Sequence, residues 1–301
     1  MTETISAVVL TGLSGFTEWP GLTGSDDSTF GRAVIGLALA LFVAVAARRA
    51  RALDWSGVAA AVVCGTACAA AGWMWAATLI GYFIASSLVS RLGRRSKEQR
   101  TASVVAKGGA RDAAQVLANG GIYSAAAVAM LLWPAQIWAW GGLAALAASA
   151  ADTWATEIGL LAGWPPRDII GRTYVLHGIS GGVTLPGIGG ALLGAAVVAL
   201  IGLAAGFPSG AAFAAIASGW SGAMIDSLLG STIQHRRRCD DCAEDTELTV
   251  HVCGSATRHI AGIRWVDNDV INLLATLAGF ILSAALYLVA VGLVVRSAGA
   301  R

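Results

Sequence analysis

The chain has 301 residues, a formal net charge of +2, and only 13% charged residues against 56% hydrophobic ones. An ordinary soluble domain carries about 25% charged residues, so the composition excludes that class and indicates an integral membrane protein. We expect membrane lipid around the chain and no nucleic-acid partner.

Eight apolar runs are long enough, or nearly so, to cross a hydrocarbon core about 30 Å thick. In chain order they cover residues 30–47, 55–71, 73–90, 113–133, 135–151, 183–206, 211–233 and 270–295. Their length excludes the strands of a membrane barrel, which have about 10 residues each. The sequence therefore predicts an all-α, polytopic membrane bundle of about eight transmembrane helices.

The two ends of the chain are predicted to lie outside this bundle. Residues 1–29 contain an apolar stretch without the basic start of a signal peptide, which predicts an interfacial or partial helix and a linker. Residues 296–301 form a short tail. Residues 30–295 are then one transmembrane domain, with a soluble cytoplasmic loop inserted at residues 235–268.

The basic residues predict how the spans are oriented. If the eight spans alternate, 17 of the 20 Lys and Arg residues fall on one side, which the positive-inside rule makes cytoplasmic. The prediction is a multi-pass protein of the cell membrane. The polar motifs described next then all lie at cytoplasmic ends of spans, which indicates one site facing nucleotides and Mg²⁺.

A polar stripe opens the fourth span. Asp112, Gln115 and Asn119 stand at positions i, i+3 and i+7, so they follow one helix face for about two turns into the bilayer. An Asp at a helix start also acts as a simple cap that stabilises the helix dipole. Because intramembrane polar groups are costly and commonly functional, we expect the stripe, with Arg111 before it, to belong to a site.

Two acids close the fifth span, where they oppose the helix dipole. Asp152 and Glu157 are about 140° apart around an ideal helix, so one ion can bind both only if the helix unwinds there. The alternative is a solvated C-terminal turn. Since something must compensate the charge, the sequence favours a cation site.

Asp226 lies inside the seventh span. Small residues at Ser218, Gly219, Gly222 and Gly230 share much of its helix side, so another helix can approach closely and the carboxylate faces protein. The alternative is a structural hydrogen bond between helices. We expect a functional carboxylate here.

Two further polar motifs precede spans. Ser180, Gly181 and Gly182 come before the sixth span, where glycines and a helix N-terminus can direct N–H groups at phosphate oxygens. Flexible loops have the same composition, and no Walker lysine follows. Asn268 and Asp269 begin the eighth span, where helix capping is the alternative to ligand contact.

The soluble loop contains a possible structural zinc site. Its four candidate ligands are Cys239, Cys242, His251 and Cys253, a set of donors that Zn²⁺ prefers. Reduced, unliganded thiols are the alternative, since a cytosolic loop disfavours a disulfide.

The motifs together resemble a widespread multipass membrane family that includes the chloroplast phytyl-phosphate kinase of tocopherol synthesis. The similar strings are 111–121, 151–159, 180–183 and 226–230, with the Cys239 and Cys242 pair and Asn268-Asp269 before Asn272. The resemblance spans roughly residues 30–290. One departure is His177-Gly178-Ile179, where the family carries Gly-Thr before its Ser-Gly-Gly, so a hydroxyl is missing at residue 179.

The resemblance implies phosphoryl transfer from a nucleoside triphosphate, CTP in the plant member, to an isoprenyl monophosphate such as phytyl or geranylgeranyl phosphate. It implies Mg²⁺ at Asp152 and Asp226, with Asp112 and Glu157 as further catalytic acids. The residues expected to hold the nucleotide and phosphate groups are Lys107, Arg111, Gln115, Asn119, Arg172, Ser180, Gly181, Gly182, Asn268 and Asp269.

Three other classes stay open. A secondary transporter also uses broken helices and intramembrane acids, but the chain has no convincing internal repeat and its acids cluster at one face. A membrane cytidylyltransferase would use the same Mg²⁺ and triphosphate and release pyrophosphate. A non-catalytic scaffold would leave the buried carboxylates unexplained.

Overall fold

The computed structural model describes residues 26–105 and 109–299. Within these ranges the helices are α1 (Asp26–Arg49), α2 (Trp55–Ala71), α3 (Trp73–Arg91), α4 (Arg94–Thr101), α5 (Ala113–Leu132), α6 (Gln136–Ala162), α7 (Leu185–Ala205), α8 (Ser209–Thr232) and α9 (Asn268–Gly299). The strands are β1 (Arg167–Asp168), β2 (Gly182–Val183), β3 (Arg236–Cys239), β4 (Glu244–Thr246) and β5 (Arg258–Ala261). The predicted N-terminal interfacial helix and Lys107 lie outside the described residues.

The polytopic helical bundle is confirmed. Among the described helices, six are long and apolar enough to cross a membrane, namely α1, α3, α5, α7, α8 and α9. The second predicted span is α2, which has only 17 residues, and the fifth is α6, which has 27 residues but is not among those six. Eight crossings therefore stay a prediction.

Helix α6 is the centre of the bundle. All its residues from Gly141 to Ala151 are buried, and it packs against α7, α8 and α9. Small residues permit this close approach: a Cβ on Gly222 of α8 would lie 2.7 Å from the Cβ of Ala148, and one on Gly190 of α7 would lie 2.7 Å from the carbonyl oxygen of Trp154. The neighbouring helices are thereby fixed against the half of α6 that ends in acids.

An aromatic cluster occupies the core near the start of α3. The ring of Trp75 lies 5.0 Å from those of both Tyr123 and Phe207, measured between centroids. The Tyr123 hydroxyl donates a hydrogen bond to the Trp75 carbonyl oxygen at 2.9 Å, which satisfies its buried polar group. The cluster joins α3 and α5 to the connection between α7 and α8.

Two small antiparallel sheets lie outside the helices. Strands β1 and β2 pair Asp168 with Gly182, so they join the two ends of the loop that precedes α7. The segment between α8 and α9, residues 233–267, forms a three-stranded sheet in the order β4-β3-β5. We call this segment the insert. The sequence predicted it only as a soluble loop.

Candidate functional site

One polar cavity of about 570 Å³ lies at the end of the bundle where α3 and α8 finish and α5, α7 and α9 begin. Each of the five intramembrane motifs contributes side chains or backbone to its lining. The predicted site residues that line it are Arg111, Gln115, Asn119, Asp152, Glu157, Ser180, Gly181, Gly182, Asp226, Asn268 and Asp269. The fold thus brings together segments that are far apart in sequence.

Two predicted site residues do not line this cavity. Asp112 precedes α5 as its N-cap, and Arg172 lies exposed in the turn after β1. We therefore assign neither residue a part in the chemistry.

The carboxyl groups of Asp152 on α6 and Asp226 on α8 lie within hydrogen-bonding range of each other in the cavity wall. Among the described residues, neither forms an ion pair with a basic side chain, and Asp226 Oδ2 has no hydrogen-bond partner. Two adjacent carboxylates repel each other unless a cation or a shared proton lies between them. The pair is therefore the part of the cavity best suited to bind a cation.

The donor atoms at this place fit Mg²⁺. The two carboxylates supply hard oxygen ligands, and the side-chain oxygen of Asn272, which also lines the cavity, has no hydrogen-bond partner among the described residues. Carboxylate and carbonyl oxygens are the ligands that Mg²⁺ takes in nucleotide-dependent enzymes.

Glu157 has a different partner from the one that the sequence suggested. Its Oε2 accepts a hydrogen bond from the ammonium of Lys97 on α4, and the Lys97 side chain is only 6% exposed. The ammonium also donates to the carbonyl oxygens of Ser90 at 3.0 Å and Val89 at 3.3 Å. The charge of Glu157 is thus compensated by a lysine, which the sequence analysis had used only as an orientation signal.

The polar stripe of α5 splits into a cap and a network. Asp112 Oδ1 accepts from the Gln115 backbone N–H at 2.9 Å, and Gln115 Oε1 accepts from the Asp112 N–H at 3.1 Å. This reciprocal arrangement is a capping box. One turn further, Asn119 Oδ1 accepts from the hydroxyl of Ser149 at 2.8 Å, which is itself 2.6 Å from the Tyr82 hydroxyl. The simple capping alternative thus describes the geometry of Asp112.

The glycine loop, residues 178–182, is held in an unusual backbone path. Gly181 has φ of +85°, and a Cβ there would lie 2.6 Å from the Cβ of Ser231, so only glycine fits. The insert contacts this loop twice. Arg236 Nη2 donates to the Ser180 carbonyl oxygen at 2.9 Å, and the Ser180 hydroxyl donates to Glu247 Oε1 at 2.9 Å. The Ser180 hydroxyl is thus bonded to the insert, and its part in binding phosphate stays a prediction.

Asp168 is a structural residue that sequence reasoning missed. It is 7% exposed, and its Oδ1 accepts from the Gly171 N–H at 2.7 Å while its Oδ2 accepts from the Ser231 hydroxyl at 2.7 Å. Burial raises the pKa of Asp168, but these hydrogen bonds and Arg236, 3.4 Å away, outweigh that effect and hold the pKa below its ordinary value of 3.8. Asp168 ties β1 to α8 and to the insert.

Basic side chains contribute to the wall of the polar cavity. Those in its lining are Arg51, Arg91, Arg94, Lys97 and Arg111. Only Arg111 was predicted as a site residue. Its backbone is fastened by hydrogen bonds to Ala52 and Asp54, at 2.9 and 3.0 Å. The same lining contains seven Asp and Glu residues, and Arg94 and Lys97 pair with two of them, Glu98 and Glu157. The cavity wall therefore combines both signs of charge.

A second, apolar cavity of about 100 Å³ lies between α1, α2, α3 and α5. Its wall is formed by aliphatic and aromatic side chains such as Leu39, Leu79 and Phe83. Arg111, Gln115 and Asn119 line this cavity and the polar one, so the two meet at the start of α5. The site can therefore receive a molecule with a charged head and an apolar chain.

The four Cys and His residues of the insert form a separate cluster. The candidate ligand atoms of Cys239, Cys242, His251 and Cys253 all lie within 4.8 Å of one another. None of the four lines the polar cavity.

Comparison with known proteins places the chain in a family. The family described as integral membrane protein DUF92 matches residues 38–280, a region that runs from α1 to α9 and contains every motif of the polar cavity. The chain belongs to this family. The resemblance to a multipass membrane family is thereby confirmed.

Two DUF92-like relatives match most of the chain. Protein PGR of Arabidopsis thaliana is 27% identical over 276 residues, which cover 82% of this chain and 93% of that protein. The uncharacterized membrane protein MJ0933 of Methanocaldococcus jannaschii is 26% identical over 258 residues, which cover 85% of this chain and 94% of that protein. No solved structure matches the chain.

Proposed function

We propose that this DUF92 protein is a membrane-embedded phosphotransferase. It would move the γ-phosphoryl group of a nucleoside triphosphate, CTP or ATP, to an isoprenyl monophosphate such as phytyl or geranylgeranyl phosphate and release the diphosphate. The observation that carries the proposal is the meeting of a polar cavity, which contains the Asp152 and Asp226 pair, with an apolar cavity at Arg111, Gln115 and Asn119.

The proposed reaction needs little covalent chemistry from the protein. An oxygen of the acceptor phosphate attacks the γ-phosphorus, the bond from that phosphorus to the β-phosphate oxygen breaks, and the nucleoside diphosphate leaves. The acceptor is already an anion at neutral pH, since the second pKa of a phosphate monoester is about 6. No strong general base is required, because the attacking oxygen already carries charge.

The protein's task is then to hold and align charge. Asp152 and Asp226 would hold Mg²⁺, which neutralises charge on the donor phosphates when it is bound. Arg111 and other arginines of the cavity wall would contact phosphate oxygens, and the glycine loop would present backbone N–H groups at the start of α7. Asn268 and Asp269 line the same wall and would contact the nucleotide.

The apolar cavity supports a lipid acceptor. The phosphate of such a substrate would lie near Arg111, and the start of its chain would lie between α1, α3 and α5. The aliphatic and aromatic wall of this cavity would take up a prenyl chain from the membrane without exposing that chain to water. The need to bind a lipid with an apolar chain explains why the site belongs in a membrane.

We also propose that the cavity opens toward the cytoplasm of the cell membrane. Five of its lining residues are lysine or arginine, the residue types that accumulate on the cytoplasmic side. Nucleotides and Mg²⁺ are available there.

The proposal is tested with purified protein in detergent. CTP or ATP with Mg²⁺ is combined with phytyl, geranylgeranyl or farnesyl monophosphate, and the products are identified by mass. A prenyl diphosphate together with CDP or ADP supports the kinase. A cytidylyl lipid with pyrophosphate would move the attack to the α-phosphorus. No product from folded protein would contradict an enzyme and favour anion transport, measured next in liposomes.

A further inference from the structure

The Cys/His cluster of the insert has the composition and compactness of a metal centre. Cys239 and Cys242 lie at the end of β3 and in the turn after it, while His251 and Cys253 come from the turn that precedes β5. Cys239 is fully buried, and His251 is 4% exposed. Three sulfur donors and one nitrogen donor form a common structural zinc set.

The distances agree with a tetrahedral site. With Zn–S bonds of about 2.3 Å, the sulfur atoms of a tetrahedron lie about 3.8 Å apart, whereas a disulfide requires about 2.05 Å. Cys239 Sγ and Cys253 Sγ are 3.6 Å apart, and His251 Nδ1 is 3.2 Å from Cys253 Sγ. The other ring nitrogen of His251 is 3.5 Å from Glu244 Oε2, which places a carboxylate where outer partners of zinc-bound histidines are found.

The insert has only a small apolar core of its own. Over its 35 residues the buried side chains are Gln234, Cys239, Thr246, His251, Thr257 and Val266, so only one aliphatic residue is among them. Units shorter than about 40 residues usually need a metal, disulfides or a partner to fold. The described cysteines form no disulfide.

We propose that Cys239, Cys242, His251 and Cys253 bind one structural Zn²⁺ that fixes the insert against the glycine loop. The metal fastens the end of β3 to the turn before β5. Arg236 lies on strand β3 and donates to the Ser180 carbonyl oxygen. Glu247 directly follows strand β4 and accepts from the Ser180 hydroxyl.

The insert holds a second segment of the cavity wall as well. The Thr246 hydroxyl donates to the Ser103 carbonyl oxygen at 2.8 Å, and the Glu247 N–H donates to the Val104 carbonyl oxygen at 2.9 Å. Zinc binding does not depend on the reaction proposed above. The effect of zinc on the glycine loop does rest on the proposed function, because it identifies what would hold the phosphate-binding loop in place.

The first test measures the zinc content of the full chain, purified in detergent with a thiol reductant. We expect about one zinc per chain by mass spectrometry of the metal. Cys239→Ser and Cys242→Ser should lose it, and Cys64→Ala, which changes a buried cysteine of α2, should keep it. A wild-type protein without zinc after growth in zinc-supplemented medium would overturn the proposal, as would equal zinc in all four proteins.

Cobalt provides a readout that does not depend on how well a variant folds. Wild-type protein stripped with a chelator and loaded with Co²⁺ should show thiolate-to-cobalt charge-transfer absorption, and the Cys64→Ala protein should match it. Absence of that absorption in Co²⁺-loaded, folded protein would overturn a thiolate site.

Limited proteolysis tests the consequence for the insert. Trypsin should cut chelator-treated wild-type protein after Arg237 or Arg238 at least several-fold faster than zinc-loaded protein. Equal rates would show that the metal does not hold the insert. A protein that binds zinc but forms no prenyl diphosphate would leave this inference intact and refute only the proposed reaction.

Discussion

The carboxyl groups of Asp152 and Asp226 meet across the contact between α6 and α8, although 74 positions separate them in the chain. Gly222, one turn before Asp226, allows this approach because any Cβ there would meet Ala148 at 2.7 Å. Two adjacent carboxylates repel each other, which destabilises the folded state when nothing compensates their charge. The fold therefore brings together two carboxyl groups whose repulsion either a cation or a shared proton would relieve.

Neutralising one member of this pair should separate function from stability. We expect Asp226→Asn to lower turnover by about 10²- to 10³-fold, because charge stabilisation at the reacting phosphates is lost. The temperature of unfolding should stay the same or rise, since the repulsion with Asp152 disappears. Prenyl-phosphate kinase assays and thermal unfolding of the purified protein measure the two effects.

Asp245→Asn is the control for that change, because Asp245 is a half-buried carboxylate of the insert paired with Arg238 at 2.9 Å. It should retain most turnover. If Asp226→Asn lost stability and turnover in proportion, Asp226 would be a structural residue.

Mg²⁺ should stabilise the wild-type protein through the same two carboxylates. At 100 times the dissociation constant, a ligand that binds only the folded state adds about 2.7 kcal/mol to the free energy of unfolding. We expect Mg²⁺ to raise the unfolding temperature of the wild type and to leave that of the Asp152→Asn/Asp226→Asn protein unchanged. An equal rise in both proteins would place the ion elsewhere.

The Lys97 and Glu157 pair should behave as a buried ion pair. Lys97→Met leaves the Glu157 charge without its partner in a poorly hydrated place, which costs about 3–5 kcal/mol of stability. Lys97→Met/Glu157→Gln should recover most of that loss. Unfolding of the wild type, both single variants and the double variant gives the coupling energy between the two residues.

Glu157→Gln also distinguishes the ion pair from a metal ligand. We expect the Mg²⁺-dependent rise in unfolding temperature to persist in this variant, because Asp152 and Asp226 remain. Loss of that rise would show that Glu157 is itself a ligand of the ion.

The sequence was sufficient to predict the bundle and the meeting of its motifs. Apolar length identified the helices, and the alternating direction of the spans placed the acids and the glycine loop at one end. Asp226 was predictable because Gly219 and Gly222 beside it require a close neighbour, and the structure puts α6 there.

The sequence was not sufficient to identify the partners of individual charges. Whether Asp112 caps its helix or faces the cavity depends on rotations of a few degrees, and the pairing of Lys97 with Glu157 depends on where α4 packs. Asp168 sits in a two-residue strand with no periodic signal. Glu247 lies in a polar segment, and the residues around it do not indicate that it accepts a hydrogen bond from Ser180.

The depressed pKa of Asp168 predicts an acid-dependent contribution to stability. A group whose pKa is lower in the folded state stabilises the protein fully above its unfolded value, here near 4, and loses that effect as the pH falls through the folded pKa. Asp168→Asn should therefore be less stable than the wild type at pH 7, and the difference should shrink below about pH 4. Thermal unfolding at both pH values measures it, and a difference independent of pH would contradict the role of the charge.

Filling the apolar cavity should discriminate between acceptors by chain length. Leu39 of α1 lines that cavity, whereas Leu41 lies outside it and is 45% exposed on the surface of the helix. We expect Leu39→Trp to raise the KM for geranylgeranyl monophosphate at least several-fold, since the larger side chain takes up space in which the prenyl chain would lie. A five-carbon prenyl monophosphate, whose chain ends near Arg111, should be affected much less. Leu41→Trp should change neither KM, and an equal effect of both tryptophans would mean that the chain of the acceptor lies elsewhere on the bundle.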